Sequence, residues 1–445
     1  MPVLPTLSRR MVEEIDHGAT YGSLFKTFKE MVEGLLLRVD RGPLREALML
    51  PQKHEKEFLA VFHAISRPVL RSLIMGRLAS DLWHSESENW KHVYGEKGAG
   101  TYALAMCIDG RQGNWLTKRE LIQVIGHLKD YAKACVLFQR LVDDQNSYNN
   151  QPLEDEEVDF MTKAMEIDNT YVSQETEWHL DVGIDDACSV TTHTTVADGT
   201  RIADYRAPRF ASSGRDQQVN INDLCSMLTR RCRQVHDPDI QQKSVPLQIG
   251  CSDKLDQRIK DHNPDITNLS KSSKAWGLLV STIRYMGHRP KLVAVPIVRV
   301  WTSEQVGFSE ILVHVLAGSF LRERGLNVHP PGKPAKPDTD KRQENINRDG
   351  KIHVWLDKPW FQQNLRFTLG AAEPGVIPAL DAKVDELLSR ELLDEYERVE
   401  SEVEASREAY ERDKTAAKKS LEEWEKLRDE MDRFDNMYGD MLHED

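Results

Sequence analysis

The stretch that most limits the possible fold is residues 247–262, which begins apolar and turns strongly polar after Gly250. The apolar start favours a buried strand, and the glycine favours a turn. Beyond the turn, Leu255, Ile259 and His262 are spaced so that they share one face of a helix. The residue order therefore predicts a strand, a turn and a short helix.

Two side chains of this helix suggest chemistry. Arg258 and His262 lie four residues apart, which places them one turn from each other. A cation held near the edge of a sheet suits a phosphate group. The same residues also fit an ordinary strand-to-helix turn whose charges are solvated, so the pattern alone leaves both interpretations open.

The segments that follow continue the pattern of a small mixed domain. Residues 272–286 predict a capped helix with one apolar side, and residues 292–301 predict a buried strand. Pro296 within that strand indicates an edge position or a bulge. Residues 305–324 predict a further helix, which we expect Gly325 to end. The resulting order is strand, helix, helix, strand, helix.

This region resembles the second half of the GIY-YIG nuclease motif. Gly250 is followed by Arg258 after eight residues and by His262 after four more, and the helix of that motif carries an arginine at the same offset. Glu310 lies near the start of a later helix, as the metal-binding glutamate of the family does. The resemblance covers roughly residues 235–325, and the predicted order of elements is the one that the GIY-YIG fold requires.

The resemblance implies a site that hydrolyses phosphodiesters. In that scheme Glu310 binds one Mg²⁺ or Mn²⁺, because a carboxylate suits a hard cation. Arg258 holds the phosphate with two hydrogen bonds, and His262 supports it or positions a water molecule. Contacts to the nucleic-acid backbone would come from five basic residues: Lys254, Lys260, Arg230, Arg231 and Lys274.

The chain departs from the family where the tyrosines are expected. Gln248 stands at the tyrosine of the second signature, and no Gly-Ile-Tyr occurs ten to twelve residues upstream. In that window His236 is the only residue able to move a proton near neutral pH. A glutamine can orient a water molecule but cannot deprotonate it. Tyr205 and Tyr285 are further candidates for the missing phenol.

The remainder of the chain predicts mainly helices. Apolar residues recur at three- and four-residue steps over residues 7–40, 53–82 and 117–141. A run rich in valine and threonine, followed by a turn, predicts a β-hairpin near residues 190–205. We therefore expect an α+β protein with an N-terminal α-helical domain (1–170), a β-hairpin and linker (171–217), a small GIY-YIG-like α/β domain (218–370, with a Pro- and Lys-rich insertion at 330–350) and a C-terminal long coiled-coil helix (379–445).

The charge is distributed unevenly along the chain. Residues 379–445 hold 23 acidic and 11 basic residues, which gives −12 of the total net charge of −13. Residues 230–300 hold 13 basic residues against six aspartates, a net charge of +7. This basic region coincides with the candidate site and favours a polyanionic partner, for which nucleic acid is the expectation.

Mostly apolar residues recur at alternating four- and three-residue steps from residue 392 to residue 438, which predicts a coiled coil. Ser406, Asp413 and Ser420 weaken the middle of this pattern. Such an arm would let the chain form a homo-oligomer. The alternative is that the arm folds back along the globular part, with its acidic outer face keeping it solvated.

Cysteine usage and hydropathy indicate the compartment. The six cysteines form no Cys-x-x-Cys pair and no zinc-finger spacing, so we expect free thiols in a reducing environment. The sequence shows no signal peptide and no apolar run of about twenty residues. We therefore expect an intracellular, soluble protein without a membrane partner, and the sequence does not distinguish nucleus from cytoplasm.

Three functions are compatible with these patterns. The first is a diverged, metal-dependent GIY-YIG-like endonuclease. The second is a catalytically silent GIY-YIG-like module that binds nucleic acid or a protein and is oligomerised by its coiled coil. The third, in which the resemblance is fortuitous, is an intracellular interaction protein with a coiled-coil arm.

Overall fold

The computed structural model divides the chain into two units, residues 1–368 and residues 369–445. In the second unit the described residues are helical, and the remainder of the predicted coiled-coil arm lies outside the described residues. So does the predicted insertion from residue 333 onward. The structure describes residues 4–84, 87–147, 153–170, 191–195, 201–210, 216–265, 273–332, 364, 408–416, 418–420, 422 and 426.

The N-terminal part is helical over most of residues 7–36 and over most of residues 55–82, as the periodicity predicts, and it has one further helix between these ranges. Gly18, in the left-handed region with φ of 76°, separates the first two helices, and Pro68 lies in the first turn of the fifth, where its missing N–H costs little. The helices are α1 (Thr6–Asp16), α2 (Tyr21–Leu36), α3 (Pro43–Lys53), α4 (Glu55–His63), α5 (Arg67–Met75) and α6 (Leu78–Leu82).

The sheet that carries the candidate site has its first strand in the centre. Strand β1 (Gly100–Ile108) pairs antiparallel with β4 (Leu247–Ser252) on one side and with β5 (Pro290–Arg299) on the other. Every residue of β1 is buried, as expected for a strand covered on both faces. The register with β5 shifts beside Pro296, which confirms the predicted edge position and irregularity.

This sheet changes the expected domain boundary. Residues 1–170 were predicted to form an α-helical domain, yet β1 belongs to the same sheet as β4 and β5. A boundary at residue 170 would separate β1 from both of its partners. Residues 1–368 therefore form one unit, whose hydrophobic core is continuous from Met11 to Leu326.

A largely helical insertion connects β1 to β4. Helix α7 (Lys118–Ser147) packs against α8 (Asp155–Asn169) and α9 (Asp216–Gln234). The predicted hairpin is confirmed as β2 (Thr191–Thr195) paired with β3 (Arg201–Arg206). The insertion therefore separates two neighbouring strands of the sheet by a large part of the chain.

The elements after β4 confirm the predicted order of strand, helix, helix, strand, helix. Helix α10 (Leu255–Asp261) follows β4, and α11 (Lys274–Tyr285) precedes β5. After β5, helix α12 (Ser303–Ala317) ends at Gly318 in the left-handed conformation, with φ of 57°, and not at Gly325 as predicted. A left-handed glycine ends a helix because its amide bonds back to the preceding turn.

Among the described residues, no single helix is long and apolar enough to cross a membrane. Helices α4 and α5 together pass that test, but they meet at an angle of 103°. Their apolar residues belong to the hydrophobic core.

Helix α12 is attached to the central strand by a buried hydrogen bond. The hydroxyl groups of Thr101 and Ser309 lie 2.7 Å apart, and both side chains are fully buried. Successive side chains of a strand point to opposite faces, so Tyr102 faces away from this contact. The bond therefore sets the position of α12 against β1.

We expect Thr101→Val to lower the free energy of unfolding by about 1 kcal/mol, because it removes this bond while nearly preserving volume. Urea denaturation would measure the change. Thr229→Val is a suitable control, since within the described residues its hydroxyl bonds only to the carbonyl of Cys225 in its own helix, and we expect a change below about 0.5 kcal/mol. Equal effects in the two variants would contradict the assigned role of Thr101.

Candidate functional site

Tyr102, near the start of the central strand, lies beside polar side chains of the helix that follows β4. The strand register places Tyr102 opposite Gly250 of β4 and opposite Pro296 of β5. Its side chain is buried, and its hydroxyl lies 3.0 Å from Nε2 of His262. Tyr102 was not among the residues that sequence patterns singled out.

Gly250 provides the space in which the phenol lies. A Cβ atom built on Gly250 would overlap the hydroxyl of Tyr102. The glycine is therefore required by a close approach across the sheet, and not by an unusual backbone conformation.

His262 is the hydrogen-bond partner of the phenol. It follows α10 directly and is almost completely buried, with 1% of its surface exposed. Burial, together with the positive charge of Arg258, lowers the pKa of His262 to about 4. The imidazole is therefore neutral at pH 7, and the tautomer with its proton on Nδ1 accepts at Nε2.

Arg258 brings a positive charge to the same phenol. Its side chain is 39% exposed and lies 3.7 Å from the carboxylate of Asp261. Burial raises the pKa of Tyr102 well above its usual value, and the nearby guanidinium of Arg258 opposes that increase. One end of Arg258 thus reaches the site while the side chain stays partly open to solvent.

Glu310 of α12 contacts Cys251 on the other face of the sheet, the face on which Thr101 bonds to Ser309. Its carboxylate accepts a hydrogen bond of 2.8 Å from the amide of Gly332 and a second from the thiol of Cys251. Burial raises the pKa of Glu310, and these two hydrogen bonds act in the opposite direction. The charge of Glu310 in turn raises the pKa of Tyr102, so the two groups lie within electrostatic range.

Asn327 holds the outer side of β4 beside the site. Its side-chain amide accepts from the backbone N–H of Ile249 at 2.7 Å and donates to the carbonyl of the same residue at 2.6 Å. The amide of Leu326 donates to Leu247. These bonds satisfy the free edge of β4, and they keep Gly250 aligned with Tyr102.

Glu310 is the residue at which the resemblance implies a divalent cation. Within the described ranges, no group of three or more histidine, cysteine, aspartate or glutamate side chains is placed to bind a metal. That argues against a zinc site, which needs three or four such protein ligands. Mg²⁺ keeps several of its waters and binds through one or two carboxylates. Glu310 can therefore serve as the ligand of Mg²⁺ or Mn²⁺.

The five predicted nucleic-acid contacts divide into two groups. Lys254, Lys260 and Lys274 are exposed, the first two on the helix that carries Arg258. Arg231 is buried, and its guanidinium donates to the carbonyl of Ser244 at 2.6 Å. The prediction for Arg231 is therefore corrected, because a buried side chain cannot contact a nucleic-acid backbone on the surface.

Arg230 is exposed, but it lies apart from the lysines. Its guanidinium donates to the backbone carbonyls of Arg322 and Glu323, at 2.8 and 3.0 Å. These carbonyls follow the C-terminal end of α12, whereas Glu310 lies in the middle of that helix. Arg230 is therefore outside the group around Tyr102.

His236 does not join the site. It is exposed on the loop after α9, and neighbouring residues of that loop bond to Trp115, Lys118 and Arg119. β1 ends six residues after Tyr102, which is about 20 Å along the strand. Trp115, Lys118 and Arg119 follow that end. The prediction of His236 as a catalytic residue is corrected for that reason.

The other candidates for the phenol also have different places. Tyr285 donates to Glu166 at 3.2 Å, and the side chain of Tyr205 lies outside the described residues. Gln248 is buried and accepts a long hydrogen bond of 3.5 Å from Ser273, the residue that caps α11. Gln248 therefore supports a helix start.

The chain matches no protein-family model, no curated protein and no solved structure. The side chains around Tyr102 are therefore the basis for assigning a function.

We expect Gly250→Ala to lower the free energy of unfolding by about 1–3 kcal/mol, because the new methyl group displaces the phenol of Tyr102. Gly126→Ala is the matched control in an exposed part of α7, where a Cβ meets nothing within 4 Å. It should stabilise the protein by about 0.5–1 kcal/mol. Urea denaturation measures both, and effects of the same sign would contradict the close approach.

The neutral state of His262 predicts a pH dependence. Its folded pKa of about 4 lies below the unfolded value of 6.5, so the unfolded chain binds more protons between these limits. The stability that His262 contributes at pH 7 is therefore lost as the pH falls from 6.5 towards 4. Relative to pH 7, we expect a loss of about 2 kcal/mol at pH 5 from this residue.

Unfolding curves at pH 7 and pH 5 measure this loss. In His262→Gln the free energy of unfolding should differ less between pH 7 and pH 5, by that amount. His236→Gln, on an exposed loop, should behave as the wild type does. An unchanged difference in His262→Gln would show that the histidine is already protonated at pH 5.

Proposed function

We propose that the chain is a diverged GIY-YIG-like endonuclease that hydrolyses nucleic-acid phosphodiesters with Mg²⁺ or Mn²⁺. The observation that carries the proposal is the position of Tyr102, whose phenol contacts His262 within range of Arg258 and Glu310. A tyrosine near these three residues was the element that the resemblance lacked.

The segment Gly100-Thr101-Tyr102 supports this proposal as a form of the first family signature. It agrees with Gly-Ile-Tyr at the glycine and the tyrosine, and it lies in the strand beside Gln248-Ile249-Gly250. Tyr102 precedes Gly250 by 148 residues. The helical insertion accounts for that distance, and we infer that a GIY-YIG-like fold is built around it.

The proposed reaction uses the side chains around Tyr102 for proton transfer and charge compensation. A water oxygen attacks phosphorus, and the bond from phosphorus to the leaving oxygen breaks. The Tyr102 oxygen takes a proton from that water while its own proton passes to Nε2 of His262. Arg258 donates to the non-bridging oxygens and offsets their charge. The leaving oxygen takes a proton from solvent.

Glu310 would hold the divalent cation, which when bound supplies charge compensation at the phosphate and lowers the pKa of a coordinated water. The hydrogen bonds from Gly332 and Cys251 orient the carboxylate and fix its rotamer. Binding of a cation would favour the charged form of Glu310, against the effect of burial.

Substrate binding is proposed for the exposed lysines beside Arg258. Lys254 and Lys260 lie on α10 or at its start, and Lys274 begins the next helix. Lysine side chains at such positions contact phosphates without reading the bases. Residues 392–438 are proposed as a coiled coil that oligomerises the chain.

A second candidate is a catalytically silent module that binds nucleic acid or a protein. The observation in its favour is Gln248, since the second tyrosine of the family is replaced by a buried amide that supports α11. This candidate predicts retention of nucleic acid that weakens with salt, and no cleavage.

Nicking of supercoiled plasmid DNA with Mg²⁺ or Mn²⁺ tests the proposal. We expect Tyr102→Phe, Arg258→Ala and Glu310→Gln each to lower the rate by about a hundredfold or more, because each removes a proton carrier or a charge at the phosphate. Matched controls are Tyr285→Phe, Arg119→Ala and Glu304→Gln, which carry the same chemical changes outside the site.

The controls should nick at the wild-type rate. Unchanged nicking by Arg258→Ala or Glu310→Gln would remove the nuclease proposal. Salt-sensitive binding of DNA by a folded wild type that cleaves with neither metal would favour the silent module.

A further inference from the structure

A cavity of about 430 Å³ lies at the C-terminal end of α12, away from Tyr102. Glu310 precedes Gly318, which lines the cavity, by eight residues, or about 12 Å along the helix axis. The volume lies in the range of sites that hold small molecules. The cavity is therefore a separate place to look for a ligand.

The cavity is lined by an excess of positive charge. Two arginines at its mouth are largely exposed: Arg38, 3.5 Å from Glu323, and Arg322, 3.1 Å from Asp223. Glu323 is the single acidic residue among those that line the cavity in the described chain. The lining arginines are Arg38, Arg230, Arg231, Arg322 and Arg324.

Two of these arginines are enclosed by the protein. Burial, together with the like charge of Arg324, lowers the pKa of Arg231 to about 10. Burial lowers the pKa of Arg324 to about 10 as well, against the charge of Glu323. In the described part of the chain, the Nε atoms of both have no hydrogen-bond partner. Buried charge that is incompletely paired is costly, and a bound anion would compensate it.

The start of α1 contributes a second, independent feature. Pro5, Thr6, Leu7 and Ser8 line the cavity, and they form the first turn of this eleven-residue helix. No side chain of the described residues caps that end, and the first turn holds no acidic residue. The first N–H groups of a helix have no partner within it and favour a negative charge.

The remaining lining is apolar. Leu4, Met31, Leu35 and Met227 belong to it, so one part of the cavity suits hydrocarbon or an aromatic ring and another suits an anion. Arginine's planar fork matches the oxygens of a phosphate with two hydrogen bonds. Several guanidinium groups and the uncapped N–H groups at the start of α1 offer more hydrogen-bond donors than a single carboxylate can use. They suit a doubly charged phosphate.

We propose that this cavity binds a small organic phosphate, a phosphomonoester of about the size of a mononucleotide. Its phosphate group lies among the arginines and the start of α1, and its organic part contacts the apolar residues. The site is distinct from the one around Tyr102 and does not depend on nuclease activity.

Isothermal titration calorimetry on the full chain tests the proposal with three probes: inorganic phosphate, 5′-AMP and adenosine. We expect 5′-AMP to bind more tightly than inorganic phosphate, and adenosine to bind at least about tenfold more weakly than 5′-AMP, since it lacks the charged group. Absence of binding by both phosphate probes would overturn the proposal.

Variants locate the binding. Arg38→Gln and Arg322→Gln change exposed side chains, and each should weaken 5′-AMP binding by about tenfold. Arg119→Gln is the matched control, because it breaks an exposed pair with Asp239 of similar length, 3.0 Å, outside the cavity. Equal affinity in all three variants would place the ligand elsewhere and overturn the proposal.

Arg324→Met tests the interior. It should abolish the increase in melting temperature that 5′-AMP gives to the wild type, while the unliganded variant melts no lower than the wild type because a poorly paired buried charge is removed. If this variant does not fold, the affinities of Arg38→Gln and Arg322→Gln for 5′-AMP test the proposal.

A ten-nucleotide DNA strand without terminal phosphates tests whether the cavity binds the phosphates of a nucleic-acid backbone and not those of a small organic phosphate. Binding of this strand that Arg38→Gln and Arg322→Gln weaken, with no binding of 5′-AMP, would assign the cavity to a nucleic-acid backbone and overturn the small-ligand proposal.

Discussion

The contact between Tyr102 and Gly250 is the constraint on which the site depends. A phenol buried in the central strand needs space above its neighbour and an acceptor for its proton. Gly250 supplies the space, and His262 supplies the acceptor at 3.0 Å. Because His262 ends the short helix after β4, one hydrogen bond couples the central strand, its neighbour and α10. Arg258, one turn earlier on that helix, is brought to the phenol by the same geometry.

Helix α12 connects the other parts. Its buried Ser309 bonds to Thr101, so the next residue, Glu310, is held at the strands with its carboxylate bonded to Gly332 and Cys251. The end of the same helix, at Gly318, lines the arginine-rich cavity. A rigid helix thus joins two polar regions of different character. In one, the carboxylate of Glu310 contacts Cys251, and the other contains guanidinium groups.

Local patterns predicted much of the fold. The strand, turn and helix at residues 247–262, the hairpin near residues 190–205 and the irregularity at Pro296 all depend on neighbours close in sequence, and the structure contains them. The end of α12 was misplaced at Gly325 because two glycines were available. Only the backbone conformation distinguishes them, since Gly318 has a positive φ.

The candidate site was predicted in part. Arg258 and His262 lie near the same phenol, as their spacing in one helix indicated, whereas Glu310 contacts Cys251 on the opposite face of the sheet. Tyr102 was missed because antiparallel pairing joins residues that are 148 positions apart, and a fully buried strand shows no alternation that marks its role. Arg231 was misassigned because a charged side chain was assumed to lie on the surface, whereas tertiary packing encloses its guanidinium.

The sequence by itself determined the local elements and the spacing of Arg258 and His262, because helix and strand periodicities act over a few residues. Only the tertiary structure decided that β1 lies between β4 and β5, which gives Gly250 its partner and the site its phenol. It also decided that arginines distant in sequence, Arg38 and Arg231 among them, surround one cavity. Both outcomes depend on long-range packing, in which burial and pairing of the whole chain are satisfied together.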